Sequence, residues 1–166
     1  MVRYLDNSST TRPYDSVTDK MAEIMKNQYG NPSSLHRLGI AAEKTVKTAQ
    51  EQIASTLKVS PSEIYFTSGG TESDNLAIMG VCQAARGRHI ISTPLEHPAV
   101  MNTLAFLGKH GWKIDFIPVG HDGVVNFPAF EDLIRSDTVL VTAMLVNNEI
   151  GSVQPIAKMA AVLKRK

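Results

Sequence analysis

Apolar residues recur along this chain with two periods, and the switches between them divide it into elements. Over 16–27, Val17, Met21, Ile24 and Met25 fall at helical spacing, and Gly30-Asn31-Pro32 closes the stretch. Over 38–57, Leu38, Ala42, Val46, Ala49, Ile53 and Leu57 recur three or four apart and make one face of a longer helix. Residues 63–67 (EIYFT) are rich in aromatic and β-branched side chains and read as a strand. Beyond Gly69-Gly70, residues 71–85 read as a helix. Then the pattern alternates: strand 89–93, helix 98–110, strand 113–119, short helix 127–135, strand 138–146 and helix 155–163, with Pro155 near its first turn. Segment 138–146 (TVLVTAMLV) is nearly all apolar, as in a strand covered on both faces. At the start, the short apolar stretch 2–5 breaks into Asp6-Asn7-Ser8-Ser9-Thr10-Thr11, whose side chains suit a loop.

Strands that alternate with helices predict an α/β fold, a mostly parallel sheet flanked by helices. Ligands of such sheets bind outside the carboxyl ends of the strands. Three polar clusters fall at such ends: Ser68-Gly69-Gly70-Thr71, Glu96-His97-Pro98 and Asn147-Asn148-Glu149. Distant segments at one sheet edge predict one shared site.

Composition narrows the function. A chain of 166 residues, 43% hydrophobic and 20% charged, has the length of one domain and can bury a core. A net charge of +1, with basic residues scattered except at Lys164-Arg165-Lys166, gives no footprint for nucleic acid or an anionic membrane. That terminal cluster reads as a solvated end. The single Cys82 excludes a disulfide framework and a multi-cysteine zinc site within the chain, and it reads as a buried structural thiol. The histidines show no metal-ligand spacing, so no metal is expected. No apolar run approaches the ~20 residues of a membrane span. The start is too short and polar for a signal peptide, so a cytoplasmic, reducing compartment is expected.

Each polar cluster has a chemical and a bland reading. Glycines between a strand and a helix let backbone N–H groups turn toward an anion, and Thr71 adds a hydroxyl; phosphate is the natural guest. The alternative is a plain capped turn. The loop carries neither a Walker A lysine nor a G-x-G-x-x-G pattern, so ATP and NAD are not favoured. His97 stands at a helix entrance before Pro98, where it either stacks on a flat ligand and moves protons or only caps the helix. Asn148 either donates to a ligand oxygen or is a turn asparagine. Glu149 either orients its neighbours or faces solvent.

Taken together, these motifs resemble those of cysteine desulfurases of the NifS/IscS type, within the class V aminotransferases and the fold-type I pyridoxal-phosphate (PLP) enzymes. Residues 4–11 (YLDNSSTT) resemble the family's opening YLDNSATT, with Ser9 in place of alanine. Residues 30–36 (GNPSSLH), 66–75 (FTSGGTESDN), 96–100 (EHPAV) and 147–156 (NNEIGSVQPI) match further motifs in the right order. The resemblance implies that the whole chain, residues 1–166, is the N-terminal part of a PLP-dependent transferase large domain. It implies that Gly70 and Thr71 bind the PLP phosphate. It also implies that His97 stacks on the ring and takes part in proton transfer as the catalytic residue, and that Asn148 bonds the ring's phenolic oxygen. The implied substrate is L-cysteine; the products are alanine and an enzyme persulfide, destined for iron–sulfur cluster assembly or tRNA thiolation. A homodimer and a scaffold or other sulfur-acceptor partner are implied too. Selenocysteine lyases and other class V aminotransferases share the phosphate loop and remain as alternatives. So does a non-catalytic half that pairs with a second chain, or a simple phosphate-binding domain.

The family pattern has further parts: an aspartate for the pyridinium nitrogen, a Ser-x-His-Lys segment whose lysine holds the cofactor, a carboxylate-binding arginine and the persulfide-forming cysteine. None has a match here, and Cys82 does not match the catalytic cysteine. The 166-residue chain by itself is therefore expected to show no desulfurase turnover. Alanine or sulfide release above a PLP-only blank contradicts that expectation.

Overall fold

The computed structural model describes residues 3–165. Met1, Val2 and Lys166 lie outside it, and with them the Val2 end of the expected first apolar stretch and the last residue of the basic cluster. The polar run near the start is a turn, as expected. The Ser9 and Thr10 N–H groups donate to Asp6 O (3.2 and 3.3 Å), and Ser9 Oγ donates to Asp6 Oδ1 (2.8 Å). The chain divides between Phe66 and Thr67 into two compact units.

The first unit holds two helices, α1 (Asp15–Asn27) and α2 (Arg37–Leu57). His36 caps α2, its Nδ1 accepting from Gly39 N at 3.3 Å. The loop between the helices turns tightly onto the first turn of α2. A Cβ on Gly39 would lie 2.1 Å from Ser34 O, and one on Gly30 would lie 2.5 Å from Leu38 O. Only glycine admits that approach, which gives the GNPSSLH segment and the Gly39 behind it a packing reason. The expected apolar faces exist but are only partly covered. Nothing on α1 is buried, and on α2 only Gly39, Ala42 and Ala54 are.

The strand expected at 63–67 does not form. Pro61–Glu63 is a 3-10 turn closed by a Ser60–Glu63 capping box, and the backbone beyond it belongs to no ladder among the described residues. Residue type favours a strand there, but a strand also needs a neighbour for its N–H and C=O groups. One of them, Ile64 O, accepts a hydrogen bond from Gln50 Nε2 instead (2.8 Å).

The second unit is a parallel sheet with helices on both faces. Strands β1 (His89–Ser92), β2 (Lys113–Phe116) and β3 (Thr138–Val141) lie in the order β2-β1-β3, all parallel. The connecting elements are α3 (Gly70–Ala84), α4 (Pro98–Lys109), α5 (Phe127–Leu133) and α6 (Ile156–Leu163). Successive side chains of a strand point to opposite faces. Accordingly Ile90 packs with Ile78, Cys82, Val100, Leu104 and Trp112, while Ile91 packs with Ile117, Phe130, Met159 and Val162. Adjacent residues of β1 thus anchor two separate cores. Cys82 lies in the first, and burial pushes its thiol pKa up.

The strands are shorter than their apolar runs. β2 ends at Phe116 rather than 119, and β3 ends at Val141 rather than 146. β3 is half-buried along its length rather than covered on both faces, since it pairs only with β1 among the described residues. At the amino ends, fully buried His89 is satisfied from both neighbouring strands. Its Nδ1 lies 2.7 Å from Thr138 Oγ1 and its Nε2 3.1 Å from Asp115 Oδ2. Lys113 Nζ stands 2.9 Å from Asp115 Oδ1.

The Lys113 ammonium, with a smaller contribution from His89, holds the Asp115 carboxyl below the usual carboxylate range. Its stabilising contribution is therefore full above the unfolded pKa of about 3.9 and fades as pH falls through the lower folded value. Asp115→Asn is expected to be less stable than the parent in urea melts at pH 7. The gap should narrow below about pH 4. A gap that stays constant into stronger acid contradicts this.

Candidate functional site

The phosphate-type loop opens α3. Gly69 is its N-cap residue, and no side chain caps the helix there. The first N–H groups of a helix have no partner within it, and the helix dipole makes that end favourable for an anion. A Cβ built on Gly69 or Gly70 would meet no atom within 4 Å, so the ground before the helix is open. Thr71 is exposed, and its hydroxyl bonds to no other described residue. Glu72 turns back along the loop, its Oε2 accepting from Ser68 N (2.6 Å) and Ser68 Oγ (2.7 Å). Those donors, the backbone N–H first, hold the Glu72 carboxyl below its ordinary pKa. The loop is fastened on that side while Gly70 and Thr71 face open space.

His97 caps α4, with Pro98 as the first helical residue. Its Nδ1 accepts from Ala99 N at 3.1 Å. In the neutral ring, the proton then resides on Nε2. The ring is exposed, so capping leaves Nε2 and the ring faces available, and the cap and ligand readings are compatible. Asn148 is exposed as well, and its amide makes no hydrogen bond to another described residue.

His97 and Asn148 line one cleft of about 310 Å³, together with Leu95, Glu96, Asn147 and Glu149. Thr71 lines a separate groove between α3 and α4, of about 380 Å³, with Asn75, Ala99, Asn102 and Thr103. Gly70 lines neither. A larger hollow of about 620 Å³ runs along α1 and α2, but its walls are mostly apolar and hold none of the three polar clusters. No lysine lines the cleft.

A chain of hydrogen bonds links the two helix starts. Asn75 Nδ2 donates to Thr71 O (2.8 Å), and the Thr103 hydroxyl reaches both Asn75 Oδ1 (2.7 Å) and Ala99 O (2.8 Å). Thr103 is buried on α4, so this contact fixes the opening turns of α3 and α4 against each other. Sequence reading missed this pair, since polar residues within a helix carry no periodic signal. It placed Glu96 and Asn147 in two of its polar clusters but gave neither a role of its own. Glu96 Oε1 accepts from Thr93 Oγ1 and from Met144 N, both at 2.8 Å. Asn147, buried, donates from Nδ2 to Leu95 O (2.9 Å) and accepts at Oδ1 from the Glu149 and Ile150 N–H groups. Both residues of the doubled asparagine line the cleft, and Asn147 also ties the turn. Glu149, weighed as an orienting residue, contributes its backbone N–H here, while its side chain is exposed.

The model of the family described as aminotransferase class-V matches residues 3–166. The chain is 41% identical over 163 residues to a cysteine desulfurase IscS of Methanosarcina thermophila, covering 97% of this chain and 40% of that relative. It is 42% identical over 168 residues to a cysteine desulfurase IscS of Stutzerimonas stutzeri, covering 98% and 42%. Among solved structures, a NifS-like protein superposes with a TM-score of 0.96 at 42% identity, covering 100% of this chain and 46% of that one. A structure described as SspA in complex with cysteine superposes with a TM-score of 0.90 at 34% identity, covering 99% and 48%. The chain thus spans less than half the length of these relatives.

The Asn75–Thr103 contact makes a direct prediction. Thr103→Val keeps the side-chain shape but leaves Asn75 Oδ1 without its donor, which costs about 1–2 kcal/mol in urea unfolding. Asn75→Ala then costs less in the Thr103→Val background than in the parent, because only its bond to Thr71 O is left to lose. Additive losses from the two substitutions contradict the assigned bond.

Proposed function

The chain belongs to the aminotransferase class-V family, and from that premise we propose that it is the N-terminal part of a PLP-dependent cysteine desulfurase. All its residues are assigned to the large domain of that fold. One observation carries the reading beyond family membership: an uncapped helix N-terminus, with two glycines and a free threonine hydroxyl, opens α3 within hydrogen-bonded reach of the His97 helix. The relatives named cysteine desulfurase and the neighbour solved with cysteine support L-cysteine as the substrate.

The residues present fit PLP. The free N–H groups at Gly70 and Thr71 and the Thr71 hydroxyl would take the phosphate, where the helix dipole favours its charge. The exposed His97 ring would lie on the pyridine face, and Asn148 would donate to the ring's phenolic oxygen from an amide that adds no charge. PLP supplies the electron sink that lets a carbon–sulfur bond of cysteine break. The protein's part is to hold and orient. His97, with Nδ1 fixed by the Ala99 N–H, presents Nε2 as the atom that gives or takes a proton beside the substrate. The products would be alanine and sulfur bound to an enzyme cysteine, for delivery to an acceptor protein. Cys82 is buried with a raised thiol pKa and does not suit that role. We assign the protein to a reducing, cytoplasmic setting and to a homodimer. Among the described residues, no helix is long and apolar enough to cross a membrane.

Because no lysine lines the cleft, PLP should bind this chain reversibly and be lost on dialysis. By isothermal calorimetry, Thr71→Ala is expected to weaken both PLP and inorganic phosphate by about tenfold, the effect of one charge-assisted hydrogen bond. His97→Ala should weaken PLP and leave phosphate unchanged. Phosphate binding that is indifferent to Thr71→Ala would refute the assigned cradle.

A further inference from the structure

We propose that Asn147 and Glu96 are positioning residues, side-chain fasteners that hold the His97 segment against the Asn148 segment where the sheet itself no longer does so. The inference uses the PLP reading above only to choose a probe and to give the held residues a purpose.

The physical need is set by the sheet. β1 and β3 pair as far as Ile91↔Val141, and Thr142 N donating to Ile91 O (3.0 Å) continues the main-chain bonding one step further. Beyond that point no main-chain bond joins the two segments among the described residues, although residues 142–146 are apolar enough to have continued a strand. Two side chains take over from the ladder. Glu96, on the segment after β1, accepts from Met144 N on the segment after β3 (2.8 Å). Asn147, on the segment after β3, donates to Leu95 O on the segment after β1 (2.9 Å). Both bonds run from a donor on the segment after β3 to an acceptor on the segment after β1, and each segment supplies one side chain and one main-chain group.

Both fasteners adjoin the residues they would place. Glu96 precedes His97, and Asn147 precedes Asn148. Each is also fixed on its own side: Glu96 by Thr93 Oγ1, and Asn147 by the Glu149 and Ile150 N–H groups (2.9 and 3.0 Å). Asn147 is further held through its backbone, N to Ser152 O and O from Gly151 N, both 2.9 Å. The turn it closes needs Gly151 in the left-handed region, at φ 70°. At position 147 only a side chain with both a donor and an acceptor serves. Aspartate keeps the acceptor for Glu149 and Ile150 but faces Leu95 O with a second oxygen. Asn147→Asp therefore cuts the cross-link and spares the turn.

The experiment compares the parent protein with Asn147→Asp and, as a second cut through the other fastener, Glu96→Ala. Amide hydrogen exchange, inorganic phosphate binding and PLP binding are measured on each. For Asn147→Asp, the Leu95 and Met144 amides should exchange about fivefold faster or more, while Glu149, Ile150 and the core amides of Ile90 and Leu104 stay within about twofold. The phosphate Kd should stay within about twofold and the PLP Kd rise about tenfold. Glu96→Ala should exchange faster at Met144, again with phosphate retained and PLP weakened. Uniformly faster exchange with equal losses of both ligands, in both variants, means a general structural role and overturns the proposal. So does an unchanged PLP Kd in both. A parent that binds phosphate but not PLP defeats the cofactor reading alone; exchange at Leu95 and Met144 then decides the fasteners, and no change there overturns them.

Discussion

A central parallel strand that is dry on both faces governs the second unit. β1 is buried at every residue, and Ile90 and Ile91 have no measurable exposure. Burying such side chains contributes roughly 1.5–3 kcal/mol each. Because the two point oppositely, one dipeptide ties the α3–α4 layer and the α5–α6 layer to the same backbone. The strand holds polar side chains only with partners: His89 finds Thr138 and Asp115 on the neighbouring strands, and the Ser92 hydroxyl donates to Thr93 O. Among the described residues, every buried side-chain nitrogen and oxygen has a partner.

The candidate site is where this constraint lapses. Past Ser92 and Val141 the main chain has no ladder to continue, so its polar groups turn to side chains, and those side chains cluster. Glu96 and Asn147 meet the need of the backbone; His97 and Asn148, beside them, are left with unfilled hydrogen-bonding capacity facing a cleft. A similar logic applies at α3, whose first turn is uncapped and faces open ground. Thr103 and Asn75 then register that helix start against the start of α4. The chemistry assigned to the site follows from which polar groups the fold satisfies and which it leaves free.

The sequence carried the helices well. α1, α2, α3 and α4 begin within one residue of their apolar pattern and end within one, because signals such as Gly30-Asn31-Pro32 and His97-Pro98 announce boundaries. Strand ends were less legible. The run 138–146 stays apolar past the point where pairing stops, since residue type reports burial while a strand is defined by its neighbour. Segment 63–67 failed for the same reason. Among the candidate site residues, His97 and Asn148 meet in one cleft, whereas Thr71 lines a separate groove. Glu96 and Asn147 fell in the polar clusters, but the contacts that make them and the Asn75–Thr103 pair positioning residues were not legible, because partners lie up to 52 positions away and no local pattern reports that.

The central claim is that the start of α3 and the His97–Asn148 cleft form two parts of one PLP site. A crystal structure of the protein soaked with PLP tests it most directly. The account predicts the phosphate on the N–H groups of Gly70 and Thr71, with the pyridine ring over His97 and its phenolic oxygen toward Asn148. Density for PLP in the hollow along α1 and α2, or a phosphate at α3 with the ring turned away from His97, would contradict it.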